Sequence, residues 1–461
     1  MSERQLDVLL LLVARAGQIV SKDDLLQAGW HDVAVGDNSL EQAISSLRRL
    51  LGAHPSGVAH IETVPRRGYR FGVQVARRAS RESDAGLDAL LAPHRAFIEG
   101  RAALETFDGG QVARAREVFE DAVRSAPEGA AAHVGLANAC VMQFEMTRTD
   151  PAPDAVALAM AAHHAREACR LDPQSGEAWA TLGFVLDRTG DRIDAPAAAK
   201  RAVTLEPANW RHHFRLGYVA WGQERLHAAH RTLALLPDFP QAHWLAATVH
   251  VARQAFNEAE REVTTALASQ AGVAKGDSRF TSVALHWLLG LLRLARGDET
   301  GGLEAFEREL SVEDAGHLYA RECCANTWYA IGAVRLRQGR LPDASAAFER
   351  ALERVASHPM ARVGLAAAGS LGRGPIPAPA PDPRAERPGS RPLSVDAAMC
   401  RAAQLVVAGA HPVAARIVEE ALADAPPGNA GWLLPIEPLL HVTAHPDVWA
   451  RALSHLRNRA A

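Results

Sequence analysis

Apolar residues recur at helical spacing from the start of the chain. Val8 to Val13 (VLLLLV) is apolar all round, within a stretch, Glu3–Ala16, that reads as one helix covered on more than one side. Ser2-Glu3-Arg4-Gln5 ahead of it has the form of a capping box. A shorter helix is expected over Lys22–Ala28. Between Asn38 and Leu51 the residues Leu40, Ile44, Leu47 and Leu51 fall on one stripe. The opposite face carries Gln42, Ser45, Ser46 and Arg49, with Arg48 on its flank. Farther on, Ile61, Thr63, Tyr69 and Phe71 favour strand, and Pro65-Arg66-Arg67-Gly68 supplies turn chemistry. Residues 61–71 therefore read as a small β-hairpin.

Past residue 92 the pattern becomes alanine-rich amphipathic helix almost to the end. Pro173 and Pro207 stand 34 residues apart. Between them Trp179, Leu182, Gly183, Ala195 and Ala202 occupy the positions at which paired helices need bulk, close approach and small size in turn. Similar spacing returns at Ala115, Phe119, Ala122 and Pro127. It recurs at Leu136, Ala161 and Pro173 with an insertion at Arg148–Asp154, and at Leu216, Gly217 and Ala229. Later copies lie at Trp244–Leu267, at Leu289-Gly290 to Phe306, and at Trp328, Gly332, Ala344, Phe348 and Ala351. This spacing resembles tetratricopeptide repeats over about residues 95–370. Residues 373–392 hold seven prolines and are expected to be an extended linker. The segment 393–461 turns helical again, with Ala414, Val418, Ala421 and Pro426 forming one more degenerate repeat or cap.

The charge distribution sharpens the reading of the first 78 residues. From Arg48 to Arg78 there are seven arginines against one acid, Glu62, whereas residues 1–47 hold seven acids against Arg4, Arg15 and Lys22. The basic run coincides with a helix and a hairpin tip, so that face suits phosphates and base edges.

LLLLVARAGQIVSKDDLLQAGWHD, then DNSLEQAISSLRRLLG, then IETVPRRGYRF resembles the OmpR/PhoB-type winged-helix DNA-binding domain. The resemblance implies a recognition helix in the major groove and a wing in the adjacent minor groove. Ser45, Ser46, Arg48 and Arg49, with Gln42 on the same face, would then lie in or beside the major groove. Thr63 would touch the backbone, and Arg66 or Arg67 would sit at the wing tip. It also implies a polymerase contact through the loop Trp30–Gly36. That family begins with a small antiparallel sheet, which this chain has no room for. Either a true start lies upstream, or another part of the chain covers the first helix.

Composition adds limits. The 461 residues are 48% hydrophobic and 22% charged, ordinary for a globular chain. No apolar run is long enough to span a membrane, and no secretory leader is visible. Five cysteines show neither disulfide nor zinc spacing, which fits a reducing cytoplasm. His163-His164 and His212-His213 diverge on a helix, and only His227 and His230 could share a face, so no metal is expected. Trp179, Trp210, Trp221, Trp244, Trp287 and Trp328 are expected mainly between helix pairs. No phosphate loop, dinucleotide fingerprint or nucleophile elbow is present, so neither enzymatic activity nor a cofactor is expected.

The expected chain is thus mainly α. A winged helix-turn-helix (1–78) and a linker (79–92) precede an α-solenoid of repeat-like helix pairs (93–372). A Pro-rich linker (373–392) and a C-terminal helical cap (393–461) complete it. The combination resembles bacterial one-component regulators that share this domain with phosphorelay response regulators. Expected partners are double-stranded DNA, possible second copies on DNA, and a protein or peptide in the repeat groove. The rival expectation is a repeat scaffold whose winged helix binds no DNA.

Overall fold

The computed structural model describes residues 3–30, 37–52, 59–65, 67–73, 75, 97–104, 106–271, 282–372 and 393–461. They divide into two units, Met1–Leu91 and Ala92–Ala461.

In the first unit α1 (Glu3–Ala14), α2 (Lys22–Gly29) and α3 (Asp37–Leu51) precede a hairpin of β2 (Ile61–Val64) and β3 (Gly68–Phe71). Ser21 starts α2, its Oγ accepting from Asp24 N at 3.0 Å, and Asp23 and Asp24 suit the positive end of the helix dipole. The hairpin is not alone. A two-residue strand, β1 (Ile19–Val20), pairs antiparallel with β3 and gives the order β1-β3-β2. Val20 lies opposite Tyr69, and Ile61 opposite Phe71. Gly68 has φ +126°, and a Cβ there would lie 2.0 Å from Val20 O, so this close pairing requires glycine.

Val8, Leu12, Val20, Leu25, Leu40, Ile44, Leu47 and Ile61 are fully buried and form one core with Tyr69 and Phe71. The helix α1 is expected to be covered on more than one side, and among the described residues Leu9, Leu11 and Val13 are half-buried against the same core. Val8 and Leu12 face the core, while Leu10 is 55% exposed. Ser2, in the expected capping box, lies outside the described residues.

The second unit is a series of antiparallel helix pairs. A helical stretch over 97–104 leads to Gly109–Ser125 and Ala130–Thr147. Ala155–Leu171 follows, then the pairs Gly176–Arg188 with Asp194–Leu205 and Trp210–Val219 with Gln223–Leu235. Next come Pro240–Ala252 with Phe256–Ala271, Leu285–Ala295 with Glu299–Leu310, and Ala320–Arg337 with Leu341–Arg354. The prolines that set the sequence period stop one helix two residues before the cap of the next. Ser175 Oγ accepts from Ala178 N, and Asn209 Oδ1 accepts from Arg211 N, both at 3.2 Å. A Cβ on Gly183 would lie 2.8 Å from Ala195 O, so the absence of a side chain sets the spacing of that pair. The insertion at Arg148–Asp154 is a loop, closed by Asp154 Oδ1 accepting from Ala157 N at 2.9 Å.

Two features lie beyond any repeat pattern. First, the helices curl until the start of this unit touches residues some two hundred positions later. Leu318 N donates to Phe107 O at 2.7 Å, Tyr319 Oη donates to Glu145 Oε2 at 2.8 Å, and Arg321 pairs with Asp150 at 2.6 Å. Second, the chain after Val395–Val407 and His411–Asp424 turns back across the first helices of the earlier pairs. Trp432 meets Trp244 and Trp287 edge-on at 6.0 and 6.4 Å between centroids. The buried hydroxyl of Tyr329 donates to Glu437. Helix Pro446–Arg459 then docks with Trp449 fully buried, and Arg253 Nε donates to Ala460 O at 2.8 Å. The inner groove that the sequence suggests for a partner is therefore partly filled by the chain itself.

Trp179 and Trp328 stack under Arg201 and Arg350 at 4.3 and 4.4 Å, and Trp210 meets Phe239 at 4.7 Å. Trp221, Trp244 and Trp287 have a second place, on the wall of a cavity of about 790 Å³. Both expected linkers, 79–92 and 373–392, lie outside the described residues. No described helix is long and apolar enough to cross a membrane.

Candidate nucleic-acid interface

Burial of Leu40, Ala43, Ile44 and Leu47 fixes which way α3 faces. With that stripe against the core, Gln42, Ser45 and Arg49 are exposed and Ser46 half-buried, in a row spaced three, four and seven residues from Gln42. None of the four has a hydrogen bond or ion pair among the described residues. They form a strip of amide, hydroxyl and guanidinium groups open to solvent.

Arg48 is held differently. Its Nε donates to Ile61 O at 3.0 Å and its guanidinium donates to Thr63 Oγ1 at 2.7 Å. The flank of α3 is thereby tied to the first strand of the hairpin, and Arg48 and Thr63, both exposed, form one polar unit. Arg70 sits across the register from Glu62 and donates to its Oε2 from two nitrogens, at 3.1 and 2.6 Å. The one acid of the basic stretch is thus neutralised by its strand neighbour. Arg67 is exposed at the turn, its backbone N–H donating to Val64 O at 3.0 Å and its guanidinium without a described partner. Arg66, Arg77, Arg78 and residues 31–36 of the Trp30–Gly36 loop lie outside the described residues, whereas Trp30 is in the core.

The acidic half is partly balanced internally. Arg15 pairs with Asp24 at 3.1 Å and Lys22 with Glu41 at 3.5 Å. These surface pairs add little stability, but they draw acids on α2 and α3 toward cations on the same side. Among the described residues, the positive charge that remains near α3 and the wing is Arg48, Arg49 and Arg67.

The described histidines take various partners. His212 Nε2 lies 2.9 Å from Glu206 Oε2, while its neighbour His213 turns to Pro207 O at 2.8 Å. His230 approaches Glu262, but with His243 and not His227 as companion. Among the described residues no group of three or more metal-ligating side chains converges. Cys323 and Cys324 are buried and unpaired, and burial pushes the Cys324 thiol up to about 12. They pack as small apolar groups.

Residues 1–71 match the family described as "Transcriptional regulatory protein, C terminal". Residues 101–148 and 329–373 match "Tetratricopeptide repeat". The chain thus joins a winged-helix domain of the OmpR/PhoB type to tetratricopeptide repeats. It is 36% identical over 86 residues to the cholera toxin transcriptional activator of Vibrio cholerae, covering 18% of this chain and 29% of that one. It is 44% identical over 64 residues to the transcriptional regulator HilA of Salmonella typhimurium, covering 14% and 11%. The matched segments thus span less than a third of either relative. A structure of human IFIT1, a dimer with m7Gppp-AAAA, aligns with a TM-score of 0.51 at 14% identity, covering 74% of this chain and 76% of that one. At that identity the likeness concerns the helical-repeat fold alone.

Proposed function

We propose that the protein is a transcriptional regulator that binds duplex DNA sequence-specifically through α3 and the β2–β3 wing. The observation that carries this reading is the solvent-facing row Gln42, Ser45, Ser46 and Arg49, left open by the buried stripe behind it. Amide, hydroxyl and guanidinium groups at helical spacing match the donor and acceptor edges of the major groove. The Arg48–Thr63 unit presents donors beside that row at the level of the phosphates, and Arg66 or Arg67 reaches the neighbouring minor groove. Two copies occupy paired half-sites, and the repeats receive a protein or peptide partner on surface the C-terminal segment leaves open. The loop after Trp30 contacts RNA polymerase, starting from a residue fixed in the core.

Immunoprecipitation of the protein with its DNA, followed by sequencing, supplies the duplex for anisotropy titrations at several salt concentrations. Arg49→Ala and Arg67→Ala are each expected to weaken binding and to lower the slope of log affinity against log salt by about 1. Slopes unchanged in both variants would remove these arginines from the interface. A full-length protein that ignores every duplex even in dilute buffer would leave the repeat scaffold with a silent winged helix.

A further inference from the structure

The curled repeats and the returning C-terminal segment enclose a cavity of about 790 Å³ whose wall is unusually rich in guanidinium groups. Six arginines line it against three carboxylates, Asp187, Glu224 and Glu322. Part of that charge is already matched. Arg188 lies 2.6 Å from Glu145 Oε1 and 2.7 Å from Asp187 Oδ2, Arg148 pairs with Glu322 and lies 3.3 Å from Glu145, and Glu224 faces Lys200 at 2.7 Å.

Arg215 and Arg225 form no ion pair among the described residues, with Glu145 and Asp187 acting on them only from beyond pairing distance. Arg225, buried, donates to the carbonyls of Gly217, Tyr218 and Ala220 and to Thr248 Oγ1, which uses three of its N–H groups without cancelling its charge. Arg215 lies on the Phe184 ring at 4.1 Å, and its one described hydrogen bond runs to Asn138 Oδ1 at 3.1 Å. Burial pushes both guanidinium groups down to about 10, so both remain charged at neutral pH. Enclosing a cation without a paired carboxylate is unfavourable.

The same wall holds buried nitrogens without partners. Trp221 Nε1, Trp244 Nε1 and His317 Nε2 make no hydrogen bond among the described residues. Tyr319 N donates to His317 Nδ1 at 3.2 Å, which makes Nδ1 the acceptor and places the imidazole proton on Nε2. All three are thus donors lacking acceptors. Phe184 and Trp432 add flat apolar surface to the same wall, and Arg192 and Asn429 on it are exposed.

We propose that this cavity is a binding site for a small organic anion, a carboxylate or phosphate carried on a flat apolar body. The anionic group meets Arg215 and the unpaired N–H donors, and the apolar body lies among the tryptophans. The volume is that of a small-molecule pocket, and the returning segment already takes the space a peptide would need. The site lies wholly within the repeat module and is independent of how α3 meets DNA.

The test uses the full-length protein and two probes of equal shape, biphenyl-4-carboxylate and the neutral biphenyl-4-carboxamide, read by quenching of tryptophan fluorescence without DNA. The carboxylate is expected to bind with Kd below about 1 mM, and the carboxamide about tenfold more weakly or worse. Arg215→Met should weaken the carboxylate by about tenfold and leave the carboxamide unchanged. Should that variant lose its cooperative melt, Trp244→Phe removes a single donor and keeps a ring, and should weaken the carboxylate selectively. Equal affinity for both probes, an unchanged carboxylate affinity in the folded variant, or no saturable quenching overturns the site. Because DNA is absent from the assay, its failure and a failure of promoter binding are separate results.

Discussion

Two adjacent arginines on α3 have different work to do. The Arg49 side chain has no hydrogen bond or ion pair among the described residues, whereas Arg48 ties the helix to Ile61 and Thr63. Removing an unbonded exposed side chain changes stability by at most about 0.5 kcal/mol. Removing Arg48 loses two hydrogen bonds, each worth about 1 kcal/mol net of exchange with water. Arg48→Ala should therefore speed amide hydrogen exchange across residues 61–71 in the full chain, while Arg49→Ala leaves that exchange unchanged and weakens DNA binding alone. Equal exchange in the two variants would mean that the tie does not hold the wing. The row on α3 was legible in the sequence because a helix with one buried stripe has only one other side. The tie was not, since nothing in the spacing of Arg48 and Thr63 says that the helix flank and first strand lie in hydrogen-bond reach.

Elements were legible in proportion to how often their pattern repeats. The helix pairs announced themselves because proline, cap and small residues return at a fixed period, and each return is independent support. Ile19–Val20 escaped because two residues cannot display alternation, and the strand exists only through its pairing with β3. The turn back at residues 434–444 escaped for another reason: it is irregular, and beside its buried Leu434, Ile436 and Leu440 it carries one buried carboxyl, Glu437. Burial pushes the Glu437 carboxyl up from 4.5 to about 7, although the Tyr329 hydroxyl and Leu440 N–H favour its ionised form. The folded state therefore holds this proton more tightly than the unfolded state. The stability it contributes is full below about pH 4.5 and is lost as pH rises through about 7. Glu437→Gln keeps an uncharged group in place. The melting temperature of the unaltered protein should fall more steeply than that of Glu437→Gln between about pH 5 and about pH 8. Parallel curves would show that this carboxyl does not titrate in that window.

At the scale of the repeat module, stability rests on contacts between distant parts of the chain. Nearest-neighbour packing alone would let repeats unfold from the ends in sequence. Here Arg321 meets Asp150, and the terminal helix meets Gln223 and Arg253, so the ends of the series are stapled to its middle. The returning segment also buries Leu434, Ile436, Leu440 and Trp449 against earlier helices. Each such side chain contributes about 1.5–3 kcal/mol, so together they rival the net stability of a whole domain. Ending the chain after Pro426 would uncover the tryptophans of the inner face as well. The shortened protein is expected to melt at lower temperature and over a broader range, to bind an apolar dye, and to self-associate in sedimentation. A truncated protein that stays monomeric and melts as sharply, at the same temperature, would make the C-terminal segment an appendage. The repeats would then be an ordinary open solenoid, stabilised pair by pair and with its groove free for a partner.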